Sequence, residues 1–208
     1  MASGMSVLLS FPCWNEWLRD WLPSFDRLIL DSGAFSELNS GVSVDLVRYV
    51  EWASSIGWAE AWAGLDAIDG DWRKSLKNYK SGGFPTIHDT DPRELLDDLI
   101  SLAHERGNWL GIGLNPPRQG KEYWVKRTLE QIPDGIHVHG WACGLYSHLT
   151  RFDSIDSTHW WREALKVRYW CPWLTYGEAL EITVKKIQRC KRLEMQAEPL
   201  PLFEKETP

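Results

Sequence analysis

Long hydrophobic runs are missing from this chain. No apolar stretch approaches the roughly 18 residues of a membrane span. The start, Met1 to Phe11, has one short apolar run without the basic stretch that opens a secretory leader. No membrane association is expected, and a cytoplasmic location is the natural reading. Cysteine is scarce and scattered: Cys13, Cys143, Cys171 and Cys190 form no CxxC pair. This argues against a disulfide framework and against a cysteine-rich zinc site, and it fits a reducing compartment. Neither GxGxxG nor GxxxxGK[ST] occurs, so the phosphate-cradling loop that usually announces an open doubly wound sheet is missing. Disorder and collagen-like classes are poor fits, because 208 residues at 43% hydrophobic and 25% charged can bury a sizeable core.

What is present is an acidic chain with a basic end. The net charge of −6 does not advertise nucleic-acid binding. Between Trp160 and Leu193, however, eight basic residues, among them Arg162, Lys166 and Arg168, face three acids. Such a quarter could face phosphate while the rest keeps the molecule in solution, although a solvated helix face explains the charge equally well. Fourteen tryptophans are far above ordinary usage and serve either a core or a stacking surface.

Short β-like runs alternate with helical ones. Strands are predicted near Ser6–Leu9, Arg27–Asp31, Glu60–Leu65, Pro85–His88, Leu110–Leu114, Ile136–His139 and Phe152–Asp156, with a weaker eighth at Tyr169–Trp173. Val44, Val47, Tyr49, Val50 and Ala53 make a helical stripe. Asp91-Pro92-Arg93-Glu94 reads as a capped helix start, followed by a buried side of Leu95, Leu96, Leu99, Ile100 and Leu102. Further helices are predicted from Gly120 through Ile132 and from Gly177 to about Met195. This alternation predicts an α/β fold of parallel strands joined by right-handed crossovers. A compact, single-domain (β/α)8 TIM-like barrel over residues 1–195 fits better than an open sheet. Residues 196–208 hold three prolines and read as a loosely ordered tail.

In a parallel barrel the reactive groups sit at the C-terminal strand ends. That rule selects Asp31 with Ser32, Gly33 and Phe35, then Asp66, His88, Gly111 and Gly113, His139, and finally Asp153 and Asp156. Carboxylates that share a pocket raise one another's pKa and divide into acid/base and nucleophile roles. Taken singly, an Asp here can be a helix cap or a turn residue, Asp153 as readily as a functional group, Asp31 and Asp66 less so because they follow apolar strands directly. His137 and His139 alternate on one strand and share a face. No third metal ligand stands at a suitable spacing, so a hydrogen-bonded interior histidine is preferred to a metal site. His88 is the better candidate to touch a substrate. Cys171 and Cys190 read as packing residues.

Six motifs occur together: Leu30-Asp31-Ser32-Gly33-Ala34-Phe35-Ser36, Gly64-Leu65-Asp66-Ala67-Ile68, Phe84-Pro85-Thr86-Ile87-His88, Leu110-Gly111-Ile112-Gly113-Leu114, His137-Val138-His139-Gly140-Trp141 and Ser154-Ile155-Asp156-Ser157-Thr158-His159-Trp160. Their content and order resemble the tRNA-guanine transglycosylase-like family, and within it the phage and bacterial deoxypurine-in-DNA branch that puts 7-deazaguanines into DNA. The resemblance spans roughly Leu28 to Trp160, about two thirds of the chain. It implies a barrel enzyme, a pentosyltransferase, that exchanges guanine in nucleic acid for a 7-deazaguanine base without metal or cofactor.

By position, Asp31 resembles the family carboxylate that assists proton transfer, with Ser32, Gly33 and Phe35 shaping its pocket. Asp66 resembles the carboxylate that reads the guanine edge, and Gly111 and Gly113 the segment beside the base. The nucleophile has two candidates. The tRNA enzymes point to Asp153 and the DNA branch's S[VI]DS[ST]xW pattern to Asp156, which is preferred. The family's CxCxxC…H zinc motif is missing, which favours DNA over tRNA as the partner. Trp141, Trp160 and Trp161 are stacking candidates, although packing explains at least two of them. A glycosidase that transfers to water and a non-catalytic nucleic-acid-binding barrel are the competing readings.

Overall fold

Seven of the predicted β runs form strands, and they lie side by side in chain order. The computed structural model describes residues 6–20, 23, 26–35, 41, 43–67, 69–146, 148–149, 151–156, 159–175, 178–179 and 182, with the side chains of residues 17 and 159–164 outside that set. Two compact units divide the chain, Met1–Asp156 and Ser157–Pro208, where the sequence predicts one body through residue 195. The first unit holds β1 (Ser6–Ser10), β2 (Arg27–Asp31), β3 (Ala61–Trp62), β4 (Thr86–His88), β5 (Trp109–Gly113), β6 (His137–Trp141) and β7 (Ser154–Ile155).

Every neighbouring pair is parallel. The sheet β1-β2-β3 joins the sheet β4-β5-β6-β7 through a parallel bridge between Ala63 and Phe84. The Phe84 amide donates to the Trp62 carbonyl and the Gly64 amide to the Phe84 carbonyl, each at 2.8 Å. Parallel strands need long crossovers, and helices supply them. These are α1 (Leu46–Ser55), α2 (Trp72–Tyr79), α3 (Leu95–Glu105) and α4 (Glu122–Leu129), with α5 (His159–Trp170) in the second unit. Among the described residues no helix is long and apolar enough to cross a membrane.

The two-residue alternation of each strand decides which side chains meet the helices. Leu28 and Leu30 face outward onto Tyr49 and Ala53 of α1. Ile87, Leu110, Ile112 and Val138 face outward onto α3 and α4. Burying a side chain such as Leu110 or Leu99 stabilises the fold by roughly 1.5–3 kcal/mol. The opposite, inner face carries Ile29, Ala63, Phe84 and Trp109, with Trp141 packed against them. The Arg27 guanidinium of β2 lies 6.0 Å from the Trp109 ring centre of β5, although two strands separate them in order. The strand array therefore curves around its inner face.

Several expectations need correction. Tyr169 and Trp170 close α5 rather than opening an eighth strand: the Cys171 amide still donates to the Val167 carbonyl, and the helix stops before Pro172. Strand-like aromatic composition is overridden there by helical hydrogen bonding. Asp91 does not cap α3, which starts one turn later at Leu95 with no side-chain cap. Val47 points to solvent, and the buried side of α1 runs through Tyr49 and Ala53 behind an Asp45 cap. Helix α2 has no counterpart among the predicted elements. The predicted helix from Gly177 to Met195 and the tail from residue 196 lie outside the described residues, apart from isolated positions.

Candidate active site

Three strands deliver a carboxylate to the C-terminal rim of the first unit. Asp31 ends β2, two residues beyond inward-facing Ile29. Asp66 follows β3, and Asp156 follows β7. Burial holds Asp31 above the ordinary carboxylate range; the Ser10 hydroxyl and the Gly33 amide pull the other way, and the charges of Asp66 and Asp156 push it up again. Coulomb influence of this kind falls off with distance and screening, so Asp31 has both other carboxylates nearby.

Asp156 is raised by burial too, but the groups around it oppose the rise: the Ala142 amide donates to its Oδ1 and the Arg118 guanidinium is near. Ala142 holds that amide in place with left-handed backbone, φ 57°, a conformation an alanine adopts only where the surroundings enforce it. Both have an amide nearby, but Asp31 has two carboxylates near it whereas Asp156 has a cation. That difference suits a proton carrier and a nucleophile respectively.

Asp66 is built into a network. Its Oδ1 accepts a short hydrogen bond from the Tyr79 hydroxyl, and His88 Nε2 lies 3.5 Å from its Oδ2. Asp91, freed from capping, accepts the His88 backbone amide at 2.7 Å and stands 3.4 Å from its Nδ1. Burial alone would lower the His88 pKa, but Asp66, Asp91 and Asp89 outweigh it and the imidazole is pushed up to about 9. His88 is thus a cation at neutral pH, clamped between two carboxylates. Burial raises Asp66 most, Asp91 adds to the rise, and His88 and Tyr79 oppose it.

The predicted glycines have a local reason. A Cβ on Gly113 would stand 2.4 Å from His88 Cδ2, and one on Gly111 2.4 Å from Thr86 Oγ1 and 2.6 Å from Trp141 Nε1. These glycines make room for His88, Thr86 and Trp141. Gly33, at φ +79°, would drive a Cβ to 2.3 Å from Pro12 Cδ. Ser32 is buried, its Oγ accepting the Ala34 amide at 3.3 Å, so it shapes the turn after β2. Phe35 is exposed at 59%.

His139 is an interior histidine. Nδ1 lies 2.7 Å from Ser154 Oγ, the ring packs 4.1 Å from Trp141, and burial lowers its pKa to about 3. It is neutral, which suits packing better than charge recognition. No group of three His, Cys, Asp or Glu with metal-holding geometry occurs among the described residues.

Asp153 is not brought to this rim. The β6–β7 register, His139 with Ser154 and Gly140 with Ile155, sets it level with Val138 near the start of β6. There it accepts the Val138 amide at 2.8 Å and pairs with His137 at 3.1 Å and Arg151 at 3.7 Å. Lys166 and Arg168 lie on α5 in the second unit. The side chains of Trp160, Trp161 and Arg162 are outside the described residues. Trp141 donates Nε1 to Thr86 Oγ1 at 3.1 Å and stacks on Phe84, a packing role.

No protein-family model, curated protein or solved structure matches this chain. The case for function rests on the site's own chemistry. Tyr79, Asp91, Arg118 and the Ala142 amide belong to that site and were missed in sequence. Arg118 had a usable signal, a cation in the loop after a strand ending Gly-Ile-Gly. Tyr79 could have been found from the Trp72, Leu76, Tyr79 spacing behind Asp71, whose carboxylate caps α2 by accepting the Arg73 amide.

Proposed function

We propose that this chain is a base-exchange pentosyltransferase that replaces guanine in DNA with a 7-deazaguanine derivative, on a compact TIM-like barrel. Strands in sequential parallel order, with β2 meeting β5 across the inner face, support the barrel. The observation that carries the reaction is the meeting of Asp31 with Asp66 and Asp156 at one rim, while Asp153 stands elsewhere.

The target guanosine leaves the base stack at a cost of a few kcal/mol. Asp156, kept ionisable by the Ala142 amide and Arg118, attacks C1′. The C1′–N9 bond breaks, guanine departs with the bonding pair and takes the proton that Asp31 carries, and an aspartyl ester remains. The incoming base then attacks C1′ from the original face, the ester bond breaks, and Asp156 is regenerated with configuration retained. Asp31, ionised by that transfer, takes the proton from the incoming ring nitrogen and so returns to its starting state. Asp66, fixed by Tyr79 and His88, has lone pairs left to accept from the base's amidine edge.

The test supplies DNA and tRNA side by side with labelled guanine and labelled 7-deazaguanine. Incorporation into DNA is expected, with no abasic sites. Abasic sites without incorporation would make the protein a glycosidase, label in tRNA alone would reassign the partner, and no chemistry on either would end the enzymatic reading.

A further inference from the structure

Arg118 is a cation whose backbone is firmly placed. It sits in the loop between β5 and α4, and that loop is tied at several points. The Asn115 amide donates to Asp89 Oδ1 at 2.8 Å, and Asn115 Nδ2 to Thr90 Oγ1 at 3.1 Å. Lys121 Nζ pairs with Asp89 Oδ2 and donates to the Asn115 carbonyl at 2.7 Å, closing the loop on itself. The Tyr146 hydroxyl donates to the Arg118 carbonyl at 2.5 Å while accepting the Lys121 amide at 3.0 Å.

The guanidinium these ties position is unfinished. Its Nε is sealed from solvent and has no hydrogen-bond acceptor among the described residues. A buried, charged N–H without a partner is costly, and a ligand oxygen is the ordinary remedy. Lysine neutralises Asp89 in the same loop, so Arg118 is not needed there. A planar fork of donors beside the attacking carboxylate fits a phosphate oxygen, because arginine recognises phosphate with two parallel donors.

The geometry points to Arg118 as the residue that grips the backbone phosphate next to the target nucleoside, holding C1′ against Asp156. This deepens the base-exchange reading and rests on it. Phosphate contacts set register without reading sequence, which is what a fixed attack distance requires.

The test uses single-stranded DNA with one guanine, intact or with one phosphate on either side replaced by a neutral methylphosphonate. Binding and labelled-guanine exchange are both measured, for the wild-type chain, Arg118→Gln and Arg118→Lys. For wild type, one of the two replacements should weaken binding about tenfold or more. Arg118→Gln should bind intact DNA with a similar loss, be insensitive to that replacement, and flatten the salt dependence by about 0.7 in log–log slope. Arg118→Lys should recover part of the affinity, which guards against a mere folding defect. If Arg118→Gln stays as sensitive as wild type to both replacements, the phosphate grip is wrong even if base exchange proceeds. If the phosphate effect appears and no base is exchanged, the grip stands and the exchange reading falls.

Discussion

The two ends of the same strands carry the same residue types and treat them in opposite ways. At the N-terminal end Glu60 and Asp153 have cations: Arg27 grips Glu60 with two bonds of 2.6 Å, and Asp153 is shared by His137, Arg151 and the Val138 amide. These side chains are a third or more exposed in most cases, so the pairs are ordinary surface electrostatics. At the C-terminal end Asp31, Asp66 and Asp156 are drawn into burial that raises all three, with His88 and Arg118 as the cations near them. Carboxylates crowded together under burial are the arrangement in which acid and base chemistry is tuned, whereas exposed ion pairs are not.

The sharpest way to break this comparison is to remove one acid from each end. Asp156→Asn is expected to lower base exchange by roughly 10³-fold or more, whereas Asp153→Asn should leave it within about tenfold, since it disturbs only exposed pairs. Equal losses in single-turnover exchange would erase the distinction between the ends.

Gly113→Ala comes next. Its Cβ would stand 2.4 Å from the His88 ring, and the overpacking should destabilise the fold by roughly 1–3 kcal/mol in urea denaturation. A variant of wild-type stability would mean that His88 is not seated against β5.

His88 also predicts a pH response. Its folded pKa of about 9 lies above the ordinary 6.5. Its stabilising contribution is therefore complete below about 6.5 and is lost as pH rises through 9. The difference in unfolding free energy between wild type and His88→Gln should shrink across that window, and a constant difference would contradict the charged clamp. The smallest effect belongs to the other end: Glu60→Gln should cost no more than about 1 kcal/mol, and less in high salt.

Much of the strand framework could be read from short apolar runs, because β2 and β5 carry the near-continuous burial of parallel strands covered on both faces. What escaped was decided by partners far along the chain. Asp91 carries every local sign of a helix cap, but the His88 amide and ring win it, so helix α3 starts at Leu95 instead. Asp153 and Asp156 are separated only by the register of β7 on β6, which no single segment encodes. Arg118 stands near Asp156 across 38 positions, a proximity that follows from β5, β6 and β7 lying side by side. The eighth strand failed for a local reason, since Tyr169 and Trp170 look strand-like yet merely finish a helix.

Upstream of the rim, the inner face is filled with rings: Phe84 lies 6.0 Å from Trp109 and 6.1 Å from Trp141, and His139 touches Trp141. These rings pack the inner face between the strands, and the carboxylates stand beyond them at the C-terminal strand ends. In the exchange proposed, the outgoing guanine leaves before its replacement attacks the aspartyl ester. The kinetics should then show the alternating, ping-pong order of two half-reactions, with the sugar parked on Asp156 between visits.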